Sequence, residues 1–245
     1  EAARAECDVV VMSLFVNPAQ FGPGEDLDAY PRDLDRDAAA AESAGVDLIY
    51  APDVAEVYPD GFATDVAVAG LTQVLCGDPA GRGPEHFRGV TTVVAKLFNT
   101  VGPDVAYFGQ KDAQQAAVLR RMVRDLDYPV RIEVRPTVRE PAGLAMSSRN
   151  AYLDARERER ATALSRALLA ARESAARDRA AAESLDAARA VLRRAGVEPE
   201  YLEARDAESL EPAEAFNGRP VLVALAARIG GARLIDNVII ETGEN

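Results

Sequence analysis

Short apolar segments alternate with helical segments over the first 135 residues, and this alternation constrains the fold more than any other feature. The continuous apolar character of residues 9–16 predicts a strand buried on both faces, as in parallel sheets that are covered by helices. Further strands are predicted at residues 47–51, 105–108 and 130–134. Apolar residues at helical spacing predict the helices between them, at about residues 32–44, 90–101 and 116–126. This order is typical of a doubly wound α/β domain.

The pattern changes after Pro136. Asp154, with Glu157 three residues later, forms a capping box, which predicts the start of a long helix that reaches about residue 179. A shorter helix and three strands are predicted beyond it, at residues 185–195, 199–205, 220–227 and 233–240. We therefore predict two domains, an α/β domain over residues 1–135 and a smaller α+β domain with an antiparallel sheet over residues 136–245.

The charge balance disfavours two classes of partner. The chain carries 40 acidic and 28 basic residues, a formal net charge of −12, and such a surface repels phosphate backbones and anionic lipid headgroups. No apolar segment approaches the roughly 20 residues that span a bilayer, and the start of the chain does not resemble a secretory signal. We expect a cytoplasmic protein without nucleic acid or membrane partners.

The cysteine and histidine content argues against a disulfide or a structural metal. Cys7 and Cys76 are isolated, without a Cys-x-x-Cys pair, and His86 is the single histidine of the chain. His86 lies in a predicted loop over residues 81–90. A histidine in a loop can act as an acid or base, but we favour a hydrogen-bonded structural role for it.

The carboxyl ends of parallel strands are where α/β sheets bind ligands, so the loops that follow the strands are the first places to search. The first predicted strand is followed by Asn17 and Gln20, whose side-chain amides both donate and accept hydrogen bonds. Such a pair suits a ligand that carries hydroxyl and carboxylate groups. An Asx turn at the end of the strand explains Asn17 equally well, and both interpretations stay open.

A second loop, residues 109–115, runs from a strand directly into a helix and has the features of a phosphate site. Gly109 permits close approach, the helix N-terminus attracts an anion, and Lys111 adds a positive charge. Asp112 is in position to cap the helix. The loop is not a Walker A motif, and the chain has no Gly-x-Gly-x-x-Gly after a strand, which argues against P-loop hydrolases and nicotinamide dehydrogenases.

A third loop contains two adjacent hydroxyls, Ser147 and Ser148, followed by Arg149. These side chains are suited to phosphate oxygens, because arginine forms a charge-assisted fork with them. No Gly-x-Ser-x-Gly elbow surrounds the serines, so the sequence does not support a nucleophilic serine.

Six segments of the chain form an ordered set. They are FVNPAQF at 15–21, DLDAYPR at 26–32, HFRGV at 86–90, GQKDAQQ at 109–115, GLAMSSRN at 143–150 and ARLIDN at 232–237. In this order they resemble the pantothenate synthetase family, the pantoate–β-alanine ligases, and the resemblance extends from about Asp8 to Glu241. One such segment alone is weak evidence, whereas six in the order of the family are highly specific.

The resemblance implies a Rossmann-like N-terminal domain, a smaller C-terminal domain that closes over the site, and a homodimer. It also implies the reaction, in which ATP and pantoate, with Mg²⁺, form an enzyme-bound pantoyl adenylate and release pyrophosphate. The amine of β-alanine then attacks the acyl carbon, which gives pantothenate and AMP. Positioning and electrostatics suffice for this chemistry, because the adenylate is already an activated acyl group.

The resemblance also implies roles for single residues. Pantoate is held by Gln20 and Gln115, with Gln20 also near β-alanine and Asn17 supporting the pocket. The implied ATP-binding residues are Gly109, Gln110, Lys111, Asp112, Val138, Met146, Ser147, Ser148 and Arg149. Of these, Lys111, Ser148 and Arg149 are expected to be catalytic, since they stabilise phosphate charge in the adenylation transition state. Asp37 is the candidate Mg²⁺ partner, directly or through water, and a solvated helix carboxylate is the alternative.

One departure from the family concerns the N-terminus. The family motifs Pro-Thr-Met-Gly and His-x-Gly-His, which hold the ATP phosphates, do not occur before Asp8, and His86 belongs to a different family segment. We therefore expect the Rossmann-like domain of this exact chain to be N-terminally truncated, to lack one strand, and to show weak or no activity. The alternatives are a catalytically dead remnant and another Rossmann-like adenylyltransferase. The neutral amides of Gln20 and Gln115 argue against a second nucleotide as the partner of ATP.

Overall fold

The N-terminal half contains four short strands and four helices. The computed structural model describes residues 1–79, 81–177 and 180–241. In chain order the elements of this half are β1 (Val11–Ser13), α1 (Leu34–Ser43), β2 (Leu48–Tyr50), α2 (Val54–Val57), α3 (Pro84–Val101), β3 (Val105–Gly109), α4 (Ala113–Asp125) and β4 (Arg131–Arg135). Short 3₁₀ turns lie between them at Pro18–Gln20, Leu75–Gly77 and Gln110–Asp112.

The four strands form two parallel pairs. β1 pairs with β2 and β3 pairs with β4, each pair connected through a helix, which confirms the predicted α/β arrangement. Among the described residues the two pairs share no backbone ladder, so β1 has a strand on one edge only. Val11 and Met12 of β1 are only half-buried and Ser13 is exposed, so the prediction that this strand is buried on both faces was wrong. Val9, just before β1, is 67% exposed and Leu48 of β2 is 55% exposed.

Helix α3 begins earlier than its apolar spacing predicted. It starts at Pro84 rather than near residue 90, so residues 84–90 are helical and the predicted loop is wrong there. Proline is favoured in the first turn of a helix, because an N–H at that position has no acceptor within the helix and its absence costs nothing. Gly83 precedes it with a φ of 77°, and Gly102, with a φ of 61°, ends the helix in the left-handed region.

The C-terminal half is a three-stranded antiparallel sheet covered by two helices. Its elements are α5 (Ala155–Ala175), α6 (Ala181–Arg194), β5 (Pro199–Asp206), β6 (Val221–Ile229) and β7 (Ala232–Ile240), with strand order β5-β6-β7. The capping box of Asp154 and Glu157 is formed as predicted. The predicted end of α5, at residue 179, lies outside the described residues. The α+β prediction for this half is confirmed.

Each half has an apolar core, and a third cluster joins them. The buried residues of the third cluster come from both halves: Leu71, Leu75, Cys76, Phe87, Ala117, Val118, Leu210, Leu222 and Ala224. A domain boundary at residue 135 therefore stays a prediction. Of the helices described, none combines the length and the apolar character that crossing a membrane requires.

Candidate active site

Two adjoining cavities of about 220 and 250 Å³ open where the C-terminal half meets the carboxyl ends of β1 and β3. The residues that line both are Arg82, His86, Lys111, Asp112, Gln115, Ser147 and Arg149. The second cavity is also lined by Gln20, Phe21, Tyr30 and Ser148. The structure therefore brings together seven of the predicted site residues, which come from three separate loops.

The first wall of the cavity is the turn between β3 and α4. The strand ends at Gly109, one 3₁₀ turn covers Gln110–Asp112, and α4 starts at Ala113. Asp112 holds the N-cap position but its side chain makes no capping hydrogen bond, so that prediction was wrong. Its carboxylate lies 3.6 Å from the Lys111 Nζ instead. A helix N-terminus and a lysine thus face the same space, which favours an anion.

The second wall is the segment that contains the two serines and Arg149. Arg149 donates two hydrogen bonds to Asp26, of 3.0 and 2.7 Å, and Ser148 Oγ donates to the hydroxyl of Tyr30 at 2.9 Å. Burial raises the pKa of Asp26, but the hydrogen bond and charge of Arg149 outweigh it and hold that pKa below its usual value. The fork of Arg149 therefore already holds an anionic group in the geometry that a phosphate takes.

The third wall carries Gln20, and Asn17 supports it from behind. Asn17 is 2% exposed and does not line the cavities. Its Oδ1 accepts from Ala19 N at 3.2 Å, as in an Asx turn, and from the hydroxyl of Tyr58 at 2.8 Å. Its Nδ2 donates to the Gly89 carbonyl at 3.0 Å and to Gln20 Oε1 at 3.4 Å. The amide of Asn17 is thus used entirely within the protein and fixes the Gln20 side chain.

Two neighbouring glutamines on α4 have opposite environments. Gln114 is buried and binds the backbone of the 71–76 segment, accepting from Cys76 N at 3.0 Å and donating to the carbonyls of Leu71 and Val74. Gln115 lines both cavities, and its side chain makes no hydrogen bond to any described residue. Gln115 therefore has donors and an acceptor free for a ligand.

His86 is structural in the geometry shown. It lies in the first turn of α3, with Nδ1 2.8 Å from the Gln20 carbonyl and Nε2 3.2 Å from Arg82. Burial, followed by the charge of Arg82, lowers the pKa of His86 to about 4. The neutral ring therefore donates from Nδ1 to Gln20 and accepts from Arg82, as the interpretation favoured from the sequence requires. Arg82 also donates to Gln20 O at 3.1 Å, so both side chains hold the same turn.

Five further predicted residues lie outside the cavity linings. Gly109 is one, and the side chain of Gln110 turns away to donate to Asn237 at 2.9 Å. Val138 and Met146 are largely exposed and adjacent, since Met146 N donates to the Val138 carbonyl at 2.9 Å. Asp37 forms a 3.3 Å ion pair with Arg36 on α1. No group of three or more metal-ligating side chains occurs among the residues described.

Sequence reasoning missed several residues that hold the site together. Glu25 and Asp26 lie in a segment without periodicity, yet they pair with the two arginines that line both cavities, Arg82 and Arg149. Glu25 was overlooked because contacts between distant loops leave no local signal in a sequence. Asn237 has no signal of its own beyond its place in the segment 232–237. Arg82 had a usable signal, because it lies in the same short segment as His86, residues 81–90.

Comparison with known proteins gives a consistent result. A family model described as pantoate-beta-alanine ligase matches residues 1–239. The pantothenate synthetase of Moorella thermoacetica is 55% identical over 248 residues, which cover 99% of this chain and 85% of that protein. The pantothenate synthetase of Novosphingobium aromaticivorans is 54% identical, over 97% of this chain and 84% of the relative.

Solved structures agree with the sequence relatives. The pantothenate synthetase of Thermus thermophilus superposes with a TM-score of 0.91 and 51% identity, covering 97% of this chain and 85% of that one. The pantoate-beta-alanine ligase of Francisella tularensis, solved in complex with beta-gamma ATP and β-alanine, gives a TM-score of 0.78 at 32% identity. That comparison covers 99% of this chain and 83% of the neighbour.

Proposed function

This chain belongs to the pantoate–β-alanine ligase family, and we propose that its two adjoining cavities hold ATP and pantoate side by side for the ligation of pantoate to β-alanine. The reaction consumes ATP and releases AMP and pyrophosphate through a pantoyl adenylate. The family match decides against the alternative of an adenylyltransferase for another acid.

One observation carries the assignment of sites. Cationic and neutral polar groups occupy the same cavity: Lys111 and Arg149 lie on two of its walls, with the amides of Gln20 and Gln115 beside them. A triphosphate requires the cations, whereas pantoate, which has two hydroxyls and one carboxylate, suits donors and acceptors without net charge. We therefore assign the cation side to the phosphates and the amide side to pantoate.

The geometry supports a mechanism of positioning and charge stabilisation. The pantoate carboxylate attacks the α-phosphorus of ATP, and the bond to the leaving pyrophosphate breaks as negative charge moves onto it. Lys111, Arg149 and the hydroxyl of Ser148 stabilise that charge in place of water. The amine of β-alanine then attacks the acyl carbon of the adenylate near Gln20, and AMP leaves. No side chain forms a covalent intermediate in this scheme.

We propose that the exposed side chains of Val138 and Met146 contact the adenine ring of ATP. Their side chains are apolar, adjacent and open to solvent just before Ser147, whose neighbours bind the phosphates in this proposal. A Cβ added at Gly109 would meet no atom within 4 Å, so the backbone there has room for a close ligand. The backbone of Gln110 and Asp112 completes the proposed ATP side.

Mg²⁺ is proposed to arrive with ATP, as the counter-ion of its phosphates. The residues described offer no ready cage, and Mg²⁺ typically uses substrate phosphates, waters and one or two carboxylates. Asp37 is kept as a candidate partner through water. Replacing Asp37 with Asn and measuring the Mg²⁺ concentration for half-maximal rate tests this role, since a merely solvated carboxylate would leave that concentration unchanged.

Two further proposals concern the protein in the cell. We place the enzyme in the cytoplasm, where ATP is available, and we expect a homodimer from the resemblance to the family. Sedimentation equilibrium measures the mass of the assembly directly. A mass equal to one chain at micromolar concentration would contradict the homodimer.

The assay for the proposed function is pantoate-dependent exchange of labelled pyrophosphate into ATP. It is run on this chain and on a version that carries the family segment with Pro-Thr-Met-Gly and His-x-Gly-His ahead of Glu1. Exchange by the longer protein, dependent on pantoate, is the expected result. Absence of exchange in both proteins would overturn the proposed function.

A further inference from the structure

Two adjacent polar residues of β7, Asp236 and Asn237, are buried at the edge of the cavity. Their exposed fractions are 2% and 5%. Asp236 lies opposite Leu225 and Asn237 opposite Ala224 in the C-terminal sheet, where apolar side chains dominate. Polar groups at such positions cost free energy unless they are fully hydrogen-bonded, so their contacts are informative.

Asn237 binds the turn that carries Lys111. Its Nδ2 donates to the carbonyls of Gln110 and Lys111, each at 2.9 Å, and its Oδ1 accepts from the Gln110 side chain at 2.9 Å. Three hydrogen bonds from one side chain thus fix the backbone from which Lys111 extends. The C-terminal sheet thereby holds the first wall of the phosphate side.

Asp236 binds the segment that leads to Arg149. Its two carboxylate oxygens accept from Arg139 at 2.6 and 2.9 Å, and one of them also accepts from Asn237 N at 2.8 Å. Arg139 starts a tight hairpin, paired with Ala145, that runs directly into Ser147. Its guanidinium also donates to the carbonyl of Gly143 within that hairpin. Asp236 therefore holds the second wall through Arg139.

We propose that Asp236 and Asn237 are positioning residues that hold the two phosphate-binding walls at a fixed distance from each other. Asn237 acts through the Lys111 turn and Asp236 acts through Arg139. This inference rests on the proposed ATP site, and it adds two residues at the edge of the first cavity that support the site. Lys111 and Arg149 belong to separate loops, so the distance between them depends on a common support. Catalytic groups need placement to about 0.5 Å, and the hydrogen bonds of two adjacent residues tie both loops to the same strand.

The test compares variants of this pair with a matched control. Asn237→Ala and Asp236→Ala are measured beside Asp206→Ala, which lies in the same half, outside the cavity linings, and loses hydrogen bonds from Glu208 N, Ser209 N and Ser209 Oγ. Each variant is made in the longer version that is used for the exchange assay, and is analysed for its melting temperature, for binding of an ATP analogue by calorimetry, and for kcat and KM in pyrophosphate exchange. If Asn237→Ala does not fold, Asn237→Ser is used, which keeps a neutral polar side chain at this buried position.

The expected pattern separates positioning from general stability. Variants of the pair should lower kcat roughly 10- to 100-fold and weaken nucleotide binding, while the pantoate KM changes by less than about threefold. Asp206→Ala should lower the melting temperature with kcat intact. Equal losses of kcat in all three variants, in proportion to melting temperature, would overturn the inference.

A double-mutant cycle tests the route through Arg139. Because Asp236 acts through this arginine, the double variant of Asp236→Ala and Arg139→Ala should lose about as much kcat/KM for ATP as either single one. Additive losses would contradict that route. If the wild type binds no nucleotide, the proposed ATP site fails and this inference with it. If the wild type binds and the variants bind equally well, only this inference fails.

Discussion

The antiparallel and the parallel strands of this protein differ sharply in burial. In β6 every residue except Arg228 is buried, whereas none of the residues in β1 to β4 is. The antiparallel sheet packs against α5 and α6, and the parallel strands rely on α3 and α4 for most of their apolar cover. The comparison indicates that the C-terminal sheet belongs to a densely buried core, while the loops that follow the parallel strands line the cavities.

The charged side chains of the C-terminal sheet and of the cavity also differ in their surroundings. In the C-terminal half, the buried Asp236 is fully paired and stays within the protein. At the cavity, Arg82 and Arg149 pair with Glu25 and Asp26, which lie on a loop. A carboxylate on a loop can give way to a ligand anion at moderate cost. The comparison therefore predicts that activity and stability respond to different substitutions.

Replacing Arg149 with Ala should have the largest effect. Removing a preorganised charge donor from a transition state typically lowers kcat by about 10²- to 10³-fold, and the melting temperature should change little because Arg149 does not belong to an apolar core. Pyrophosphate exchange and thermal unfolding measure the two quantities. Arg124→Ala is the control, since Arg124 is exposed and pairs with Glu208. A rate loss below threefold would remove Arg149 from the phosphate site.

Two leucines test whether the antiparallel and the parallel strands contribute differently to stability. Leu225 of β6 is fully buried and Leu48 of β2 is largely exposed. Leu225→Ala should lower the free energy of unfolding by about 3 kcal/mol, because it leaves a cavity in a packed core. Leu48→Ala should cost less than about 1 kcal/mol. Urea denaturation of both variants checks the difference, and equal losses would break the comparison.

A pair of glycines tests how tightly the Gln20 turn is packed. A Cβ at Gly89 would lie 2.2 Å from the Ala19 carbonyl oxygen, whereas one at Gly109 meets nothing within 4 Å. Gly89→Ala should therefore cost about 2 kcal/mol and displace Gln20, which raises the pantoate KM. Gly109→Ala, the control, should leave the pantoate KM unchanged. A wild-type pantoate KM in Gly89→Ala would show that the turn tolerates the shift.

Lowering the pH should reduce the stability of the N-terminal half, because His86 is partly buried there in its neutral form. Its pKa falls from 6.5 to about 4 on folding, so between these values the unfolded chain binds the proton and the native state does not. Stability from this group is therefore present above pH 6.5 and is lost as the pH falls toward 4. The loss is about 1 kcal/mol between pH 6 and 5.

His86→Gln removes this titration and is the matched control. Urea denaturation at pH 5, 6 and 7 should show a smaller pH dependence in the variant than in the wild type. The same slope in both proteins would mean that other groups account for the acid sensitivity.

Much of the fold was predictable because its signals are local. The alternation of strands and helices, the capping box at Asp154 and the strand–turn–helix segment around Lys111 each depend on short-range patterns. The apolar spacing marks α3 only from about residue 90, although Pro84 signals its true start. Asp112 failed as a cap because Lys111 competes for its carboxylate.

The remaining features depend on contacts between distant segments. No periodicity marks Asp26 as the partner of Arg149, and nothing near Asn237 in the sequence connects it with Lys111. The exposure of β1 depends on what packs against its two faces, which a hydropathy pattern does not record. These features can be identified only in the three-dimensional structure.

The central claim is that Lys111 and Arg149 bind ATP phosphates beside an amide-lined pantoate site. A crystal structure with a non-hydrolysable ATP analogue and pantoate tests it most directly. We predict phosphate oxygens within hydrogen-bond distance of Lys111 and Arg149, with Arg149 released from Asp26, and pantoate bound by Gln20 and Gln115. Phosphates bound elsewhere while the Arg149–Asp26 pair stays intact would contradict the account.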